Sequence, residues 1–193
     1  MGAIVKFFEW LWLRGIKNWW SYLRWHKYTK EESMDIPVIK SDSQIISACR
    51  DLYRGFEWEM DGLADAFDTY VPAQYAYNRM TEYINDISED KYRDDCDGFH
   101  AGVYHMLQEN GYDVALITLA TIPITESHTM TAIRYEEDDG SVYYKVVNYT
   151  SLKGPYKTLQ DFVDNYGTPV RYWCLQKYNF EKGKYYNIDK EGF

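Results

Sequence analysis

The spacing of hydrophobic and polar positions changes along the chain, and the changes mark its elements. Ile4, Phe8, Leu11, Trp12, Ile16, Trp19, Trp20 and Leu23 recur every three or four residues. That pattern predicts an amphipathic helix, with Lys6, Lys17 and Arg24 largely on its other side. Residues 28–42 are polar around Pro37 and read as a linker. Ser43 is the expected N-cap of a helix from Gln44 to about Phe67, with Ile45, Ile46, Cys49, Leu52, Tyr53 and Phe56 as its apolar positions. Gly55 and Gly62 bend or divide that segment, and Val71-Pro72 ends it. Residues 74–88 predict a second helix, and Ser88 to Asp95 a charged turn. A third helix is expected from about Asp97 to Asn110, with Phe99, Val103, Met106 and Leu107 inward and Asn110-Gly111 as its stop signal.

Beyond Gly111 the period becomes two. Val114 to Leu119 is a short apolar run that predicts a strand. Ser127 to Glu136 alternates, with His128, Met130, Ala132 and Arg134 on one side and Thr129, Thr131, Ile133 and Tyr135 on the other. A turn at 137–141 and a strand from Val142 to Tyr149 complete a hairpin. Thr158 caps a short helix over Leu159 to Tyr166, and Val170 to Leu175 is a further strand. Helices precede strands, so the expected class is α+β, helices packed on an antiparallel sheet.

Composition splits the chain in two. Residues 1–30 carry six basic side chains against Glu9 alone, a balance of +5, and the whole chain carries −9, which leaves −14 for the remainder. Five of the seven tryptophans lie in the same stretch. The expected division is therefore an aromatic and basic arm over residues 1–33 and a domain over 34–193. Tryptophan opposite lysine and arginine describes a helix that lies on a membrane surface or docks on a partner protein through residues 4–25. Packing of that stripe on the chain's own domain is the competing expectation. The acidic body disfavours nucleic acid. The arm shows neither a secretory signal nor a membrane-spanning run, so a cytoplasmic chain, peripheral to a membrane through its arm, is expected. Three scattered cysteines without a CxxC pair exclude a disulfide scaffold and disfavour structural zinc.

The candidate chemistry centres on Cys96. A thiol at a helix start feels unpaired backbone N–H groups and the positive end of the helix dipole, both of which favour the nucleophilic thiolate. Asp94, Asp95 and Asp97 oppose this, so an imidazolium is needed nearby. His128 opens a strand of its own and fits a general base that faces the nucleophile. With the hairpin turn centred near Asp139, position 128 falls opposite about position 150, which brings Asn148 within reach as the residue that orients the imidazole. Cys49 and Cys174 occupy apolar positions and are expected to be structural. His100 is expected to face solvent or substrate, and the acidic runs to be solvated turns rather than cation sites.

The stretch Asp94-Asp95-Cys96-Asp97-Gly98-Phe99-His100-Ala101 resembles the Gly-Asp-Cys-acidic-acidic-aromatic-x-Ala box of the transglutaminase-like cysteine proteinases. Ser127-His128-Thr129-Met130 and Val146-Val147-Asn148-Tyr149 resemble the family's histidine strand and the strand that follows it, and Gly111-Tyr112-Asp113-Val114 matches its step after the cysteine helix. The resemblance spans roughly residues 50–175. It implies a papain-like core, a Cys96-His128-Asn148 triad, and acyl transfer on amide bonds of a protein or peptide through a thioester, with no cofactor and no metal. Asp94 stands where the family has glycine and Gly98 where it has a second acid, and the arm has no counterpart. The Cys96 backbone N–H is the expected oxyanion donor, with Gln74 a side-chain alternative. A catalytically silent domain that binds or delivers through its arm is the other reading.

Overall fold

A computed structural model describes residues 32–59, 71–122, 126–189 and 193, together with Leu11, Trp19, Leu23 and Tyr28. The remainder of the expected N-terminal helix, and residues 60–67 of the helix expected from Gln44 to about Phe67, lie outside the described residues.

Four helices and eight strands are bounded among the described residues. In chain order they are α1 (Asp42–Arg54), β1 (Phe56–Trp58), α2 (Ala73–Asn85), β2 (Tyr92–Asp94), α3 (Cys96–Glu109), β3 (Asp113–Thr121), β4 (His128–Glu136), β5 (Val142–Asn148), β6 (Ser151–Tyr156), α4 (Leu159–Asp164), β7 (Val170–Asn179) and β8 (Lys184–Ile188). Six strands form one antiparallel sheet in the order β6-β5-β4-β3-β7-β8, and β1 and β2 form a small parallel pair. The class is α+β, as the order of periodicities predicts.

Both faces of the sheet are covered, because alternate side chains of one strand enter different cores. Val114 and Leu116 of β3, Ile133 of β4 and Val147 of β5 pack under α1, α2 and α3 with Ile45, Leu52, Tyr77, Met80, Phe99, Val103 and Leu107. Ala115, Ile117 and Leu119 of β3, Met130 and Ala132 of β4 and Val146 of β5 pack on the other face, under Leu159, Phe162 and Val163 of α4.

Several expected boundaries move. The first body helix is capped by Ser41, whose Oγ accepts from the Gln44 N–H, and not by Ser43. It ends with Gly55 as its C-cap, at a point where α2 passes too close for a side chain. A β-carbon there would fall on the Met80 carbonyl oxygen, and would lie 2.9 Å from its carbon. Phe56 to Trp58 pairs with Tyr92 to Asp94 and is a strand, not helix. The charged turn contains β2, whose last residue hands the chain to the N-cap Asp95 and then to Cys96. Strands β6 and β8 lie in segments where the spacing of apolar positions predicts no element.

The expected linker is a strap. Asn78 of α2 accepts from the Met34 N–H at 2.9 Å and donates to the Glu32 carbonyl at 2.8 Å. Asn110 makes the same pair with the Ile39 N–H and the Pro37 carbonyl, at 2.7 and 3.0 Å. Each amide pairs with backbone groups flanking one residue as a neighbouring strand would, so residues 32–39 are tied across α2 and α3 without entering a sheet. No helix among the described residues is long and apolar enough to cross a membrane.

Candidate active site

The site is assembled where α3 begins and where the β4–β5 hairpin ends. β2 delivers the chain to Asp95, whose side chain accepts from the Asp97 N–H at 2.9 Å and so caps α3. Cys96 is the first residue of that helix and is half-buried. Gly98 is explained by Asp94. The Asp94 side chain accepts from the Tyr92 hydroxyl and from the Asp95 N–H, and it packs so tightly on the first turn of α3 that a β-carbon at 98 would lie 2.7 Å from its own. The two departures from the cysteine box are thus one feature, a carboxylate tucked against a helix with no side chain in the way.

The three residues named from the sequence come together. The Thr129 N–H points at Cys96 Sγ at 3.3 Å, so the thiol lies against the residue that follows His128. His128 Nε2 lies 2.9 Å from Asn148 Oδ1. An amide oxygen only accepts, so in the neutral ring Nε2 carries the hydrogen and Nδ1 holds the lone pair. The hairpin pairs Thr131 with Val147, which continues to 128 opposite 150 and makes His128 and Asn148 diagonal neighbours. Burial holds the His128 imidazole below its ordinary value, while the Asn148 hydrogen bond and the Asp95 carboxylate push it back up.

Tyr149 closes the site. Its ring stacks on His128 with centroids 5.3 Å apart. Its backbone is in the left-handed region, at φ 48, a conformation that costs a non-glycine residue about 1 kcal/mol or more. The Ser151 hydroxyl supports the same turn by donating to the Asn148 carbonyl at 2.9 Å. Tyr166, just past α4, lies near enough to feel the charge of both Cys96 and Glu126, and Glu126 accepts from the Thr168 hydroxyl at 2.9 Å. Beyond it, a surface cleft of about 560 Å³ runs between α4 and the start of β7, lined by Val163, Gly167, Thr168, Arg171 and Trp173 among others.

Two expectations require correction. His100 does not face solvent: it is fully buried, and its ring lies 5.8 Å from that of His128. It bridges the Tyr149 N–H and the Thr131 hydroxyl, at 3.3 and 3.2 Å. The overlooked signal is α3 itself. Its sequence has small and apolar residues all round, which marks a helix buried on every side. Gln74 is the second. It lies against the Tyr178 hydroxyl. Tyr178 is two residues beyond the Leu116–Gln176 pair, whereas His128 pairs with Leu119 at the other end of β3, so Gln74 is remote from the thiol.

Asp94, Asp95 and Asp97 bring carboxylate oxygens within 4.8 Å of one another. Asp94 and Asp95 are occupied as described, in capping and bracing α3. The other two cysteines are buried, and burial pushes the Cys49 thiol up to about 12. Native protein treated with iodoacetamide at pH 8 should therefore gain one carbamidomethyl group, on Cys96, and three after denaturation. Labelling of Cys49 or Cys174 at a comparable rate in the native state would contradict this burial. No family model, curated protein or solved structure matches the chain.

Proposed function

We propose that the chain is a cysteine-dependent acyl-transfer enzyme with a papain-like, transglutaminase-like core, acting on amide bonds of a protein or peptide. The observation that carries this reading is the meeting of Cys96 Sγ, the start of β4 and the His128–Asn148 hydrogen bond at one end of the sheet. In this scheme His128 Nδ1 accepts the thiol proton as Cys96 Sγ bonds to the amide carbonyl carbon. The Cys96 N–H, in the first turn of α3, faces the oxyanion. The C–N bond then breaks, His128 returns the proton to the leaving amine, and a thioester remains. Water completes hydrolysis, and an amine acceptor completes transamidation. Asn148 holds the ring in the tautomer that leaves the Nδ1 lone pair free to take the thiol proton.

The test is the pH dependence of iodoacetamide alkylation, mapped to each cysteine, in the wild type and in His128→Ala. Cys96 should label rapidly below pH 7, and His128→Ala should slow that labelling by about a hundredfold at pH 6. A Cys96 that titrates near about 8.5 with no response to His128→Ala would sink the enzyme reading. It would leave the second one, a silent domain that docks through its arm on a membrane or partner protein. One observation favours a docking role for the arm under either reading. Trp19 and Leu23, both helical and one turn apart, are 62% and 45% exposed.

A further inference from the structure

We propose that His100 is a positioning residue, which registers the helix that carries Cys96 against the turn that carries Asn148. The inference rests on the reading of Cys96, His128 and Asn148 as a working triad.

Three elements meet on this one buried ring, and every hydrogen among them has a single permitted direction. The Tyr149 N–H can only donate, and it donates to His100 Nε2 at 3.3 Å. Nε2 therefore holds the lone pair, and Nδ1 carries the hydrogen. Nδ1–H in turn donates to Thr131 Oγ1 at 3.2 Å, and the Thr131 hydroxyl donates to the His100 carbonyl at 3.1 Å. The tautomer is set from both ends, and the chain of bonds ties α3, β4 and the β5–β6 turn together.

The tie acts where the backbone needs it. Tyr149 is the residue after Asn148 and the only non-glycine at positive φ among the described residues. Release of its N–H lets it relax out of the left-handed region, which rotates the 148–149 peptide and draws Asn148 away from His128 Nε2. Cys96 lies one turn before His100 on the same helix, so the ring that fixes the Asn148 turn also fixes it relative to the thiol. The ring is faced by Phe99 at 5.2 Å, by Tyr149 at 5.4 Å and by His128 at 5.8 Å, and Asp95 acts on His128 from the start of α3. A neutral ring in this place adds no charge beside His128 when His128 takes the thiol proton.

The experiment compares wild type with His100→Leu, His100→Gln and Thr131→Val. The glutamine side chain of the second variant would place an amide oxygen near the position of Nε2, where it accepts the Tyr149 N–H, and leucine has no acceptor. Readouts are the pH profile of Cys96 alkylation, the NMR titration of His128 and the thermal melt. His100→Leu should slow Cys96 alkylation at pH 6 by about tenfold, the scale of one lost buried hydrogen bond, and His100→Gln should keep most of the rate. A folded His100→Leu with the wild-type profile overturns the proposal, as does a His100→Gln no better than His100→Leu. Should His100→Leu not fold, Thr131→Val keeps the ring and removes the hydroxyl that selects its tautomer. It should lower the rate severalfold at pH 6, and an unchanged rate overturns the proposal. A wild-type Cys96 that alkylates as an ordinary thiol brings down the triad itself, whereas a fast wild type indifferent to all three variants brings down only the part assigned to His100.

Discussion

Alanine at position 55 is expected to cost the fold about 3 kcal/mol or more, although it adds a single methyl group. Gly55 does not need glycine for its backbone angles, which any residue adopts, at φ −85. It needs glycine because α1 ends against the backbone of α2. The added carbon would fall on the Met80 carbonyl oxygen, 2.9 Å from the carbonyl carbon and 3.1 Å from Cα. A side chain can rotate out of the way, but a carbonyl inside a helix moves only with the helix. Gly140 is the control, with φ +81 and open space around it, so Gly140→Ala should cost only the left-handed penalty of about 1 kcal/mol. Urea unfolding curves of the two variants measure the difference. Gly55→Ala should also slow Cys96 alkylation. The Gly55 carbonyl accepts from the Tyr92 N–H at 2.9 Å, and β2 leads straight to Asp95 and Cys96. Equal stability losses in the two variants would refute the close-approach argument.

The contrast between these glycines explains how far the sequence can be read. Gly140 lies in a turn that Glu137-Asp138-Asp139-Gly140-Ser141 announces locally. The hairpin register is legible too, because turn position and alternation together leave one pairing, and Thr131 opposite Val147 obeys it. The placement of the candidate site is legible for the same reason: Cys96, His128 and Asn148 each lie at the end of an element whose period is clear. Gly55 reads only as a point of bending or division, since its role depends on a helix that begins at Ala73. Strands β1 and β2 are three residues each, too short for any period to show. The path of residues 32–39 depends on Asn78 and Asn110, which bond to the strap across 44 and 71 positions of the chain. His100 and His105 look like ordinary polar interruptions of a helix until that helix is known to be enclosed on both sides.

That enclosure sets the second large effect, a loss of stability as the pH falls through the histidine range. His105 is 1% exposed, with Nε2 2.6 Å from Ser33 Oγ and its ring between Tyr77 and Phe180. Burial pushes its pKa from 6.5 down to about 4. Burial, and then the charge of His128, holds His100 well below its ordinary value, and burial depresses His128 as well. In the unfolded chain all three titrate near about 6.5. Below that pH the unfolded state takes up protons that the native state refuses, so stability is complete above about pH 6.5 and falls as the pH drops toward the folded values. For His105 alone the full loss is of the order of 3 kcal/mol, reached near pH 4. His105→Phe keeps the aromatic contacts and cannot be protonated. Its unfolding free energy should therefore fall by about 3 kcal/mol less than the wild type's between pH 7 and pH 4. Urea titrations at both pH values give the comparison, and the difference between the two proteins removes the contribution of the carboxylates. Parallel pH profiles for His105→Phe and wild type would mean that His105 takes up its proton in the folded protein as readily as in the unfolded chain. The strap held by Ser33, Asn78 and Asn110 would then have to open at mild acidity to admit it.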